Sequence, residues 1–305
     1  MSIVEKAVEK LTNARAREPD ALPRVEPVFE TVSLHSSPPP MIERIEERVR
    51  AAHAPKVEVA RWHISSAALK QAGLLPDSEE AASRLADELR RVKRPLLRNL
   101  DSKGGQALHN GHRIMVASAL PGEGKTFTAF NLALSLAKER DLEVLLVDAD
   151  VPKYDITRIL KLESRPGLMD VLSDETRSPT EVIVRTDVPN LMVVPVGKRD
   201  ELVAELFGSR RMEEVLLEFA GAGQRRVLLF DSSPLLAAAE APTLATLMGQ
   251  ILVVVAAGRT EKETVAAALQ ALGDSASVGL VLNMSRLPAH ENYYYGYYHA
   301  HAKER

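Results

Sequence analysis

No cysteine occurs anywhere in the 305 residues, so neither a disulfide nor a thiolate metal site is possible. That suits a reducing cytoplasm, where the chain is expected to work. The net charge is −3 and no basic block stands out, so nucleic acid is not expected as a partner. No apolar run approaches the roughly 20 residues that span a bilayer. The longest near the end, 251–257, falls far short, and residues 1–6 lack the basic-then-apolar pattern of a secretory signal. The expectation is a soluble chain that meets a membrane only through a partner. Aromatic residues are scarce too, at 4% of the chain.

The 45% apolar composition supports a sizeable core, and the length admits one α/β domain with long appendages. Proline is unevenly spread. Pro19, Pro23, Pro27, Pro38, Pro39, Pro40 and Pro55 interrupt the start of the chain, and residues 18–40 read as disordered linker. Before it, Ser2 and Glu5 can form a capping box, with Ile3, Val4, Ala7, Val8 and Leu11 in one stripe. So short a helix is marginal alone in water, and it either docks on something or frays. Ser65 or Ser66 can cap a short helix that ends at Gly73. A longer helix is predicted from about Ser78 to Lys93, stopped by Pro95.

Apolar runs then alternate with helical patterns. Strands are predicted at 112–118, 143–148, 191–196, 226–231, 251–256 and 278–283, each reading as buried on both faces. Such alternation marks an α/β fold, a mostly parallel sheet flanked by helices on both faces. Between the first strand and its helix lies 119–126, Ala-Leu-Pro-Gly-Glu-Gly-Lys-Thr. It fits the phosphate-loop pattern G-x-x-x-x-G-K-[ST] except that Ala119 replaces the first Gly. Gly122 and Gly124 let the backbone turn its N–H groups toward a phosphate, and the helix N-terminus adds partial positive charge. Lys125 would reach the β- and γ-phosphates, and the Thr126 hydroxyl would ligate Mg²⁺. The expected nucleotide contacts are Pro121, Gly122, Glu123, Gly124, Lys125, Thr126 and Phe127. A P-loop NTPase fold binding a nucleoside triphosphate and Mg²⁺ follows.

Two strands end in Asp. One runs into Asp148-Ala149-Asp150, the other into Asp231-Ser232-Ser233-Pro234. Ligands of open parallel sheets sit beyond the carboxyl ends of the strands, so both acidic groups should face the loop. Asp231 reads as the Walker B carboxylate serving the metal. Asp148 and Asp150 form a second acidic motif that could bind metal or accept a proton. Asn283, at the end of the last strand, could read the base. A strand-end Asp is also a common turn or cap residue.

Of six tyrosines, five crowd together: Tyr293, Tyr294, Tyr295, Tyr297 and Tyr298. Packing on a sheet edge could explain such a tail. With the phosphate loop, however, the chain over about 80–305 resembles the bacterial tyrosine kinases (BY-kinases). Residues 119–126 look like their Walker A, 145–150 like Walker A′ and 228–234 like Walker B. Gly167 to Leu172 and Glu205 to Met212 also resemble family stretches. Two departures stand out: Val151-Pro152-Lys153 replaces the common Leu-Arg, and Ser232-Ser233-Pro234 replaces Thr-Pro-Pro.

The resemblance implies an ATP-dependent autokinase with catalytic Lys125, Asp148 and Asp150, metal ligands Thr126, Asp150 and Asp231, and the five tail tyrosines as acceptors. It also gives Glu88, Arg91 and Arg94 (E-x-x-R-x-x-R) an oligomer contact in a homo-oligomeric ring. By charge alone the three are a solvated helix face. The implied division is an N-terminal region 1–77, partly disordered, a kinase domain 78–288, and a flexible tail 289–305. Residues 1–11 and 71–76 look like the branch encoded with exosortase-linked exopolysaccharide systems. That branch implies a separate membrane chain-length-determinant (Wzz-like) activator, a tyrosine phosphatase and a place at the inner membrane through the partner. A ParA/MinD-like ATPase switch is the main alternative. It would carry an extra Lys where Leu120 stands and would lack the tyrosine tail. A degenerate nucleotide-binding scaffold is a third reading.

Overall fold

The computed structural model describes residues 61–101, 108–221, 223, 225–273 and 277–285. The helix read near the N-terminus, the linker and the tyrosine cluster lie outside the described residues. In chain order the elements are α1 (Ser66–Gln71), α2 (Glu79–Asp101), β1 (Arg113–Ser118), α3 (Lys125–Leu136), β2 (Glu143–Ala149), α4 (Asp155–Ile159) and α5 (Leu168–Ser173). A 3₁₀ turn (Pro179–Val182), β3 (Val184–Arg185), β4 (Leu191–Val194), α6 (Val203–Phe207), α7 (Arg210–Ala220) and β5 (Arg226–Ser232) follow. Last come α8 (Glu240–Ala245), β6 (Gln250–Ala256), α9 (Lys262–Leu272) and β7 (Ser277–Asn283).

The seven strands form one sheet in the order β3-β4-β2-β5-β1-β6-β7. Every neighbouring pair is parallel except β3–β4. The two-residue β3 is too short to give a sequence signal. Side chains alternate between two cores. Ile114, Val116, Val144, Leu146 and Leu229 meet Phe130 and Leu132 of α3 on one face. Met115, Leu145, Val147 and Phe230 meet Leu168, Phe207, Met212 and Phe219 on the other. Phe130, Phe207, Phe219 and Phe230 are fully buried, each stabilising by about 1.5–3 kcal/mol. The order places β2, β5 and β1 side by side, so their carboxyl ends open onto one place.

The structure departs from two expectations. Helix α2 runs through Pro95 to Asp101. Pro95 cannot donate to the preceding turn, a cost of about 3 kcal/mol, but packing on both sides of it offsets that. Leu89 and Leu96 are buried, and Lys93 ion-pairs with Glu139 at 2.6 Å and donates to the Ser135 carbonyl at 2.9 Å. Beyond the proline, Gln250 donates to Leu96 O at 3.2 Å and accepts from Asn99 at 2.8 Å.

Strand β7 is an edge strand, not one buried on both faces: Leu280 and Leu282 are 57% and 64% exposed. A continuous apolar run does not say where in the sheet a strand sits. Described residues before 78 also pack on the domain. Ile64, Leu69 and Leu74 are buried in the α2–α3 core, and Trp62 bridges Thr186 beside β3. Helix α1 is capped by Ser65, whose hydroxyl accepts from Ala68 N at 3.3 Å. Among the described residues, no helix is long and apolar enough to cross a membrane.

Candidate active site

The loop leaving β1 turns through Gly122 (φ 82°) and Gly124 (φ 94°) before α3 begins at Lys125. Left-handed φ at both positions favours glycine. The loop thus turns sharply into the N-terminus of α3, an arrangement suited to an anion. Phe127, in the first turn of α3, packs its half-buried ring against the core.

Lys125 is 5% exposed, and its Nζ lies 2.5 Å from Asp150 Oδ2. Burial opposes its charge, yet Asp231 and Asp150 together raise its pKa above the ordinary lysine value. Asp148 and Asp231 are register partners on β2 and β5, both 0% exposed. Burial, helped by Asp148 and Asp150 against the pull of Lys125, pushes Asp231 up to about 8. Among the described residues neither oxygen of Asp231 has a partner in ordinary hydrogen-bond geometry, with the Thr126 side chain lying against the carboxyl group. Buried carboxylate oxygens without partners are costly, and a divalent cation would relieve the cost. Thr126 and Asp231 thus fit a hard cation. Among the described residues no three acidic, imidazole or thiol groups gather around one ion position, so phosphate oxygens and water would complete its shell.

Asp148 differs. Its Oδ2 accepts from Thr157 N at 2.8 Å and from Thr157 Oγ1 at 2.7 Å, while Oδ1 has no partner among the described residues. Thr157 Oγ1 in turn accepts from Val196 N at 3.0 Å, which commits the hydroxyl proton to Asp148. Burial raises Asp148 to about 7 against those two bonds. Thr157, on α4, carried no motif signal. Ser233 stands out in the sequence only as a departure from the family pattern; its hydroxyl lies 3.2 Å from Asp150 Oδ1 and 2.8 Å from Glu240 Oε1. Asn283 sits on the loop, donating to Glu123 O at 2.9 Å. Glu88, Arg91 and Arg94 are exposed on α2, apart from the site. Gly167 is explained by close approach, since a Cβ there would lie 2.0 Å from Pro195 O.

The family model described as AAA domain matches residues 111–270, more than half of the chain. Tyrosine-protein kinase YwqD of Bacillus subtilis (strain 168) is 36% identical over 186 residues, covering 60% of this chain and 77% of that protein. The chain belongs to the bacterial tyrosine-protein kinases. Tyrosine-protein kinase CpsD of Streptococcus agalactiae is 29% identical over 177 residues, covering 56% of this kinase and 74% of CpsD. The kinase matches only 20% of tyrosine-protein kinase ptk of Acinetobacter johnsonii, at 30% identity over 148 residues. Among solved structures, the VpsO kinase domain aligns with a TM-score of 0.56 at 26% identity, covering 68% of this kinase and all of that chain. The kinase domain of Escherichia coli ETK aligns at 0.52 and 26%, covering 58% and 69%. These likenesses favour a kinase over the partitioning-ATPase alternative.

Proposed function

We propose that the chain transfers the γ-phosphoryl group of ATP to tyrosines in the 293–298 cluster of a neighbouring copy. The observation that carries this is the convergence of Lys125, Asp148, Asp150 and Asp231 at the mouth of the phosphate loop. The loop amides and Lys125 would hold and neutralise the phosphates, and Thr126, Asp231 and Asp150 would hold Mg²⁺. That ion, when bound, offsets charge on the phosphate oxygens. A tyrosine hydroxyl, with a pKa near 10, is protonated at neutral pH. Its proton would pass to Asp148 Oδ1, the oxygen Thr157 leaves open. The tyrosine oxygen then bonds to the γ-phosphorus as the bond to the ADP oxygen breaks. A base near pH 7 suits that transfer.

From Pro288 to the tyrosines is about five to ten residues, an extended reach of roughly 15–35 Å. That reach supports transfer between chains. A Lys125→Ala chain with an intact tail is mixed with an active chain whose five tail tyrosines are Phe. Phosphate should appear on the inactive chain; if only an intact active chain labels its own tail, transfer in trans is wrong. Each phosphotyrosine adds about −1.5 to −2 charge, so modified tails would be repelled by the three site carboxylates and leave.

Glu88, Arg91 and Arg94 share one exposed face of α2, which suits a head-to-tail contact that closes into a ring. Reversing Arg91 and Arg94 to Glu should lower the mass measured by light scattering. An unchanged mass, where the unmodified protein assembles, makes the motif a plain surface. The resemblance further supports a role in exopolysaccharide chain length and export, at the inner membrane through a Wzz-like activator and opposed by a tyrosine phosphatase.

A further inference from the structure

A carboxylate inside a phosphate-binding loop is a liability unless it is turned away and satisfied. Glu123 is 3% exposed. Its Oε2 accepts from Leu120 N at 2.6 Å within the loop. Its Oε1 accepts from Ala256 N at 3.5 Å, at the end of β6, and closely from the Thr260 hydroxyl in the turn before α9. The charge is therefore spread over two amides and a hydroxyl on the side of the loop facing β6.

The backbone of the same residue is held as well. Asn283, the last residue of β7, donates from Nδ2 to Glu123 O. It pairs with Ala256 across β6–β7 and accepts from Ala257 N at 2.8 Å. A Cβ on Gly124 would lie 2.0 Å from Asn283 Nδ2. Gly124 is thus fixed by this close approach as well as by its φ. The ends of β6 and β7, with the turn after β6, grip the loop at Leu120, Glu123 and Gly124.

We propose that Glu123, Thr260 and Asn283 are positioning residues, a brace that holds the phosphate loop in its anion-binding shape without touching the nucleotide. The proposal rests on reading this loop as the ATP site. It gives the Glu123 side chain and Asn283 a role other than nucleotide contact. A base-reading Asn283 needs its amide free, whereas here the amide is committed to the loop.

The test uses full-length Thr260→Val, Thr260→Ser and Asn283→Ala proteins, checked for native circular dichroism. Binding of Mg·ATP and of inorganic triphosphate is measured, and amide exchange is followed without nucleotide. Thr260→Val removes one hydrogen bond to a charged group, an effect of about tenfold or more. Both ligands should bind about tenfold more weakly, and the Leu120 amide should exchange correspondingly faster. Thr260→Ser should restore both. Asn283→Ala should weaken ATP and triphosphate alike. Unchanged binding and exchange in Thr260→Val overturns the brace, and so does an Asn283→Ala protein that loses affinity for ATP but not for triphosphate. An unmodified protein that binds ATP but never labels tyrosine overturns the kinase reading and leaves the brace standing. An unmodified protein that binds neither ligand overturns the loop reading and the brace with it.

Discussion

Replacing Lys125 with Ala should lower tail phosphotyrosine by about 100- to 1,000-fold, the usual cost of removing one preorganised charge from a transition state. Lys125 projects from the first turn of α3 into the ring of carboxylates, 2.5 Å from Asp150. Its loss leaves Asp150 and Asp231 buried without a cation, which costs stability, so folding is checked in the same samples. The measurement is phosphotyrosine by mass spectrometry beside circular dichroism. A folded Lys125→Ala protein with full tail phosphorylation would remove Lys125 from the mechanism.

The second large effect concerns Asp231, where activity and stability should move in opposite directions. Its carboxyl group is raised to about 8 and that of Asp148 to about 7, burial being the main cause of each. Both folded values exceed the unfolded value of about 3.9. The folded state therefore holds protons that the unfolded chain releases, and the stability these groups contribute is complete below about pH 4. It is lost as pH rises through about 7 and 8. Melting temperature of the nucleotide-free protein should fall between pH 6 and pH 9. Asp231→Asn removes the higher titration, so its melting temperature should fall less over that interval, while tail phosphorylation drops at least about 100-fold. A variant with the unmodified pH dependence and normal phosphorylation would contradict both roles given to Asp231.

Much of this site was legible because its signals are local. A buried strand, a loop with Gly122 and Gly124, and a helix opening at Lys125 occur within some twenty residues. The acidic strand ends needed only the rule that parallel sheets bind beyond their carboxyl ends. What escaped depends on three-dimensional placement. Nothing near Thr157 marks it as the partner of Asp148, since α4 brings it back across eight intervening residues. Glu123 sits in the motif, but the direction of its side chain is set by Thr260 and Ala256, far along the chain. Pro95 read as a helix stop by local propensity, and docking of α2 through Leu89, Lys93 and Leu96 overrode it. The apolar residues of β7 predicted a strand correctly but not its place, because strand order is set by the whole topology.

In the proposed reaction the γ-phosphoryl group ends on the tail. Incubating the purified protein with Mg²⁺ and ATP labelled at the γ-phosphate, then mapping the label by peptide, tests it most directly. Label should appear on the cluster Tyr293, Tyr294, Tyr295, Tyr297 and Tyr298, with almost none in Lys125→Ala. Phosphate released to solvent with none retained on tyrosine would contradict it and make the chain an ATPase.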